Sequence, residues 1–246
     1  MVPAAPTARV RFIWFDQDDT LYDYGRAMTR SIAAVLRTLH ERLPDTRDTV
    51  DAQALIQARR DVAERCARAG MDLFQARRES FIAALARCSE SDGALADELT
   101  AAYYAALQTD IRPFADTLPC LRALRRDHML GVLSNGMDLT GTLGISDLFE
   151  HRLHSADTGL EKPAAEFFRL AEGVAGAAPE ECLLVGDSEL ADVTGALRAG
   201  WRAVWLNRSG REPRPECPPA HATVRSLRDL PRLVRHLGAP AAASGA

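Results

Sequence analysis

The sequence predicts an α/β protein: a Rossmann-like parallel sheet core carrying an inserted α-helical cap domain. Three observations predict it. A short apolar run opens the chain at residues 10–15. A long stretch of helical periodicity follows, from about residue 24 to 107, with no strand signal inside it. After Pro113, short apolar runs alternate with helix-like segments, the pattern of parallel strands joined by helical crossovers.

Each element has its own reason. Residues 10–15 are β-branched and aromatic, which suits a strand buried on both faces. Met28, Ile32, Val35, Leu36 and Leu39 form a first apolar stripe at helical spacing, and Leu55, Ile56, Val62 and Cys66 a second. Phe74, Phe81, Ile82 and Leu85 form a third, and Leu95, Leu99, Tyr103 and Leu107 a fourth, so a bundle of about four helices is expected. Beyond it, residues 129–133, 182–185 and 203–206 read as strands. Residues 118–126, 164–174 and 190–199 read as the helices between and after them. The expected layout is a core of residues 1–22 and 110–238, a helical cap of 23–109, and a disordered tail of 239–246. The Pro/Ala-rich residues 1–9 are expected to be disordered as well.

Composition narrows the function. The 246 residues are 47% hydrophobic and 26% charged, with a formal net charge of −4. That is ordinary for a soluble globular protein and exerts no overall pull toward nucleic acid or anionic membrane. No apolar stretch approaches the roughly 20 residues of a membrane span. Arg9, Arg11 and Asp16 interrupt the only apolar run near the start, so no secretory signal is expected. Cys66, Cys88, Cys120, Cys182 and Cys217 are scattered without a CxxC pair, which argues against a zinc site or a disulfide framework. A reducing cytoplasm is the expected compartment.

In open parallel sheets, ligands gather at the carboxyl ends of the strands. The polar residues at those ends therefore belong together. The first strand runs into Asp16-Gln17-Asp18-Asp19-Thr20, and the second core strand into Ser134-Asn135-Gly136. The strand at 182–185 runs into Gly186-Asp187-Ser188, with Asp192 one helical turn on. Lys162-Pro163 opens the helix between the last two. Taken singly, these are ordinary turns, helix caps and a surface lysine. Together they are an acidic cluster that needs a cation, and oxygen-only ligands favour magnesium. A carboxylate beside that cation can attack phosphorus. Ser134, the amide of Asn135 and Lys162 then supply the donors and charge that a transferring phosphoryl group requires. Lys162 is the only lysine in a chain otherwise served by arginine, which argues that a point charge is needed there. It is expected to line a wet cleft, where its replacement changes stability little.

These residues resemble the signatures of the haloacid dehalogenase-like hydrolase superfamily. The matching stretches are Asp16-Gln17-Asp18-Asp19-Thr20-Leu21, Ser134-Asn135-Gly136, Gly159-Leu160-Glu161-Lys162-Pro163 and Gly186-Asp187-Ser188-Glu189-Leu190-Ala191-Asp192. The resemblance implies Asp16 as nucleophile and magnesium ligand. It implies Asp18 as the acid and base that also lends its main-chain carbonyl to the metal. Thr20 would orient the nucleophile loop at the substrate. Ser134 and Asn135 would hold phosphoryl oxygens, Lys162 would neutralise charge, and Asp187 would ligate magnesium, with Asp192 and Ser188 behind it. Asp19 stands where the family often has glycine. Gly141 and Gly144 weaken the helix expected after the second strand.

Among the superfamily's reactions the resemblance favours a magnesium-dependent phosphatase acting on a small phosphorylated metabolite. Its dehalogenases lack the second aspartate, and its phosphonatases and phosphomutases use a cap lysine that this chain does not have. A catalytically idle regulatory relative and a phospho-accepting domain are the alternatives from other classes. The cap is expected to read the leaving group. Arg59, Arg60, Arg65, Arg68, Arg77 and Arg78 are available to an anionic substrate, or else form solvated helix faces.

Overall fold

A computed structural model describes residues 8–88 and 92–237, without the side chains of Glu64, Ala67 and Arg68. The expected disorder of residues 1–7 and 239–246 falls outside these residues. The chain divides into two compact units, one of residues 1–23 and 112–246 and one of residues 24–111.

The first unit begins with strand β1 (Phe12–Phe15). The chain then passes through four helices of the second unit: α1 (Tyr24–Arg42), α2 (Ala52–Arg68), α3 (Leu73–Ala86) and α4 (Gly93–Leu107). It returns through α5 (Thr117–Leu124), β2 (Met129–Ser134), β3 (His151–His154), α6 (Ser155–Thr158) and α7 (Ala165–Ala175). It closes with β4 (Cys182–Gly186), a π-helical turn (Glu189–Thr194), α8 (Gly195–Arg198), β5 (Arg202–Leu206), β6 (Ala222–Val224) and α9 (Leu230–Leu237).

The six strands pair in parallel in the order β3-β2-β1-β4-β5-β6. The chain turns outward on one side of β1 through β2 and β3, then starts again on its other side at β4. That reversal places a crevice at the carboxyl ends of β1, β2 and β4. The central strands are buried on both faces, which is why they read as unbroken apolar runs. Phe12 and Trp14 stack with centroids 4.7 Å apart, and Trp14 meets Trp201 at 6.1 Å in a buried apolar cluster. Gly131, opposite Trp14 on β2, is required by that packing: a Cβ there would lie 2.6 Å from the indole.

Four expectations need correction. Strands β3 and β6 were not anticipated; they are the sheet edges, half exposed and polar, so they carry no apolar run. Strand β5 begins at Arg202, whose guanidinium is buried and donates to the carbonyls of Glu180 and Ala8. The helix expected at 190–199 is instead the π-helical turn followed by the short α8. No helix follows β2 between Gly136 and Ile145.

The second unit buries most of the predicted stripes, with α1 against α4 and α2 against α3, while Met28, Leu36, Ile56 and Ile82 are half-buried. Asp72 caps α3 in a reciprocal arrangement: its carboxylate accepts from the Gln75 N–H at 2.8 Å, and its own N–H donates to Gln75 Oε1 at 3.1 Å. Asp92 caps α4 by accepting from Ala94 and Leu95. Phe74 departs from its stripe: it is exposed and lies 4.4 Å from the Tyr104 ring.

Candidate active site

The end of β1 delivers Asp16, whose main-chain N–H donates to Val185 O at 2.9 Å, so the loop leaves the sheet tied to β4. Gln17 is fully buried and clamps the loop after β2. Its amide nitrogen donates to Met137 O at 3.0 Å and its Oε1 accepts from the Leu139 N–H at 3.1 Å. Asp19 has φ of +54°, a left-handed conformation that explains why glycine suits the position and an aspartate tolerates it.

Lys162 reaches the centre of the site. Its Nζ donates to Asp16 Oδ1 at 2.8 Å and to Asp192 Oδ1 at 2.7 Å. Its side chain is 1% exposed, which corrects the expectation of a wet cleft. The chain between Gly159 and the start of α7 carries the lysine inward, and Asn135 holds it there. Asn135 Nδ2 donates to Lys162 O at 2.8 Å, and its Oδ1 accepts from the Lys162 N–H at 2.7 Å. The Asn135 side chain is therefore spent on positioning the lysine. Ser134 Oγ accepts from the Gly136 N–H at 3.2 Å, so its own proton remains to be donated elsewhere.

Asp192 folds back over the end of β4. Its Oδ2 accepts from the Ser188 N–H at 2.9 Å, while Ser188 Oγ accepts from the Ala191 N–H at 3.1 Å. Glycine at 186 permits this: a Cβ there would sit 2.1 Å from Asp192 Oδ2. The wide π-helical turn carries the backbone around that fold-back. Carboxylate oxygens of Asp16, Asp187 and Asp192 all lie within 4.8 Å of one another. Both oxygens of Asp192 are already hydrogen-bonded, to Lys162 and Ser188, so Asp16 and Asp187 are the pair with oxygens to spare.

Asp18 lies apart from that cluster, near the end of β2. A Cβ on Gly136 would be 3.4 Å from both Asp18 Oδ2 and Ser134 Oγ, which places the two side chains close together. Tyr22, not anticipated as a site residue, donates its hydroxyl to Asp18 Oδ1 at 2.7 Å and is itself buried. The i+4 spacing from Asp18 is the only sequence signal that points to it. Thr20 is buried with its hydroxyl unpartnered, and its carbonyl accepts from Arg208 at 2.9 Å.

The electrostatics follow from burial. Desolvation pushes Asp16 well above the ordinary carboxylate range, and the charges of Asp192 and Asp18 add to it while Lys162 opposes it. Desolvation also raises Asp18, with Tyr22 and Gln17 pulling the other way. Asp187 is pushed up to about 7 by burial and by Asp192 and Asp19. Burial alone would lower the Lys162 ammonium, but Asp16 and Asp192 outweigh it and hold it above its usual value. The site is short of positive charge: one buried cation faces the buried Asp16 and Asp192 and the half-buried Asp18 and Asp187.

Comparison with known proteins bears on the family and the fold. A family model for the haloacid dehalogenase-like hydrolases matches residues 10–200. The chain is 26% identical over 241 residues to N-acylneuraminate-9-phosphatase of Mus musculus, covering 94% of this chain and 96% of the relative. It is 29% identical over 209 residues to the Escherichia coli 5-amino-6-(5-phospho-D-ribitylamino)uracil phosphatase YigB, covering 82% and 85%. Among solved structures, a 2-haloacid dehalogenase from Pseudomonas syringae pv. Tomato DC3000 aligns with a TM-score of 0.78 at 28% identity, covering 92% of this chain and 99% of the other. The family match takes in β1, the Lys162 segment and the Gly186–Asp192 fold-back together, and so the chain belongs to the haloacid dehalogenase-like hydrolases.

Proposed function

We propose that this hydrolase is a magnesium-dependent phosphatase that cleaves a small phosphorylated metabolite through an aspartyl phosphate on Asp16. The observation that carries the reading is Asp18, a second, half-buried carboxyl two residues from Asp16, held by Tyr22 and raised above its ordinary value. Ester cleavage needs a proton for the departing oxygen; halide departure does not. The phosphatase names of full-length relatives support the same reading.

The donor set fits magnesium: the cluster offers carboxylate oxygens without histidine or cysteine, and burial leaves it short of positive charge. Asp16 and Asp187 would hold the ion, with the main-chain carbonyl of Asp18. When bound, magnesium keeps these carboxylates ionised at neutral pH and draws charge from the phosphoryl oxygens.

The chain's own groups divide the reaction. The Asp16 oxygen not bonded to Lys162 attacks phosphorus, the bond from phosphorus to the ester oxygen breaks, and Asp18 gives its proton to that oxygen. Lys162, fixed by Asn135 and Asp192, offsets the negative charge gathered around Asp16. The Ser134 hydroxyl and the main-chain N–H of Asn135 donate to phosphoryl oxygens. A water then loses a proton to the Asp18 carboxylate and attacks phosphorus. The acyl phosphate bond breaks, returning the Asp16 carboxylate and releasing inorganic phosphate.

The test is hydrolysis of 4-nitrophenyl phosphate with magnesium, with chelator, and by Asp16→Asn. Activity that depends on magnesium and vanishes in Asp16→Asn is expected. Full turnover after chelation removes the metal assignment, and near-wild-type turnover in Asp16→Asn removes the nucleophile. The likeness to a 2-haloacid dehalogenase favours dehalogenation as the second reading. Halide release from a 2-haloacid, with no phosphate ester turned over, would establish it instead.

A further inference from the structure

The helical unit contains a cavity of about 390 Å³ lined from α1, α2, α3 and α4. Its buried lining is Ile32, Leu55, Phe81 and Tyr103, apolar but for the Tyr103 hydroxyl. Arg59, Arg60 and Arg77 also line it, and among the described residues no lining residue is acidic.

Several other arginines of the unit are ion-paired. Arg42 pairs with Glu98, Arg65 with Glu79, Arg78 with Asp97 and Arg87 with Asp61. Among the described residues, Arg59, Arg60 and Arg77 pair with no carboxylate. Arg59 reaches only the sulfur of Met28, at 4.0 Å. The Arg77 guanidinium lies 4.0 Å from the Tyr103 ring centroid and donates one hydrogen bond, at 3.1 Å, to the Tyr103 hydroxyl. That hydroxyl is 3.2 Å from the hydroxyl of Tyr24. The Nε of Arg77 is buried without a partner. Stacking on Tyr103 thus fixes the plane of the guanidinium, which also bonds the side chain of Tyr104 and leaves Nε unspent. The side chain of Arg68 lies outside the described residues.

Three like charges around a concave, partly apolar space repel one another, and a buried unpaired donor carries an uncompensated desolvation cost. One bound anion relieves both. The guanidinium fork matches the planar oxygens of a carboxylate, and the buried apolar lining rewards a hydrocarbon body. The volume is that of a small-molecule site. We propose that this cavity binds a small organic anion, an apolar body ending in one carboxylate-like group that docks on Arg59, Arg60 and Arg77. The anion is either the leaving portion of the substrate or a separate effector, which share this chemistry.

Calorimetric titration of the full chain with 3-phenylpropionate and with its neutral amide, 3-phenylpropanamide, tests the site. The acid is expected to bind at least about tenfold more tightly than the amide, with the preference falling as salt rises. Arg77→Gln should abolish the preference. Arg60→Gln, which alters an exposed side chain and leaves the packed interior intact, should reduce it severalfold. Equal binding of acid and amide, or a preference unchanged in both variants, overturns the proposal. This readout is independent of turnover, so it fails separately from the phosphatase reading.

The second arm rests on that reading and distinguishes the two sources. If the anion is part of the substrate, 3-(4-phosphooxyphenyl)propionate should exceed phenyl phosphate in kcat/KM, and Arg77→Gln should erase the advantage while Arg60→Gln reduces it. If it is an effector, the two esters should turn over alike, and free 3-phenylpropionate should alter phenyl phosphate hydrolysis without competing. Either pattern supports the site and assigns its occupant.

Discussion

Replacing Lys162 with methionine tests the charge balance of the site directly. Methionine keeps an unbranched side chain but leaves Asp16 and Asp192 without the ammonium now 2.8 and 2.7 Å away. Deleting one partner of a buried ion pair costs about 3–5 kcal/mol, because the remaining charge stays desolvated. A carboxylate can escape part of that cost by taking up a proton, and Asp16, already raised by burial, is the one that does so. The metal-free variant should therefore lose about 3–5 kcal/mol at pH 8 and distinctly less at pH 5. Adding Asp16→Asn removes one uncompensated charge and should restore part of the loss, a non-additivity that a double-mutant cycle reads directly. The assay is urea unfolding with chelator at both pH values. A midpoint unmoved by Lys162→Met at pH 8 would refute the buried-charge argument. Lys162→Arg separates charge from shape: the planar fork cannot replace a compact ammonium between two carboxylates, so kcat should fall at least about tenfold. Wild-type kinetics in that variant would leave charge alone as the requirement.

Three further outcomes are expected. Gly186→Ala places a methyl group where Asp192 Oδ2 now lies 2.1 Å from the Cβ position, so it should cost on the order of 1–3 kcal/mol and lower kcat by moving Asp192 off Lys162; an unchanged melt and rate would contradict the fold-back. Asp18→Asn should slow an alkyl phosphate by about 10²–10⁴ but 4-nitrophenyl phosphate much less, since nitrophenolate leaves with little proton help; equal losses on both would remove the acid role. Desolvation holds the buried His154 below its ordinary value of 6.5, with Asp138 and Asp157 opposing, and neither ring nitrogen has a hydrogen-bond partner. Its neutral form is favoured by folding, so its contribution is present above pH 6.5 and is lost as pH falls through the folded value. Denaturant midpoints between pH 7.5 and 5 should fall less in His154→Gln than in wild type, and parallel curves would discount His154.

The sequence by itself determined what depends on local pattern. Central strands buried on both faces must be continuous apolar runs, so β1, β2 and β4 were legible from composition alone. Helices with one buried face must repeat apolar residues every three to four positions, so all four helices of the second unit were legible too. The acidic loops followed from topology, because parallel strands deliver their carboxyl ends to one edge. The edge strands β3 and β6 escaped notice because half-exposed pairing needs no apolar pattern. Arg202 hid the start of β5 because a buried guanidinium is admissible only once the carbonyls of Glu180 and Ala8 converge on it. Only the tertiary structure decided which partner each polar side chain takes. Asn135 spends its side chain on the main chain of Lys162, 27 residues away, and Tyr22 turns to Asp18. Arg77 stacks on Tyr103 while Arg78, beside it in sequence, pairs with Asp97. Hydrophobic patterning is periodic along the chain because one helix or strand face is a local object. A hydrogen bond is a meeting of two atoms in space, and its partner is named only when the chain has folded.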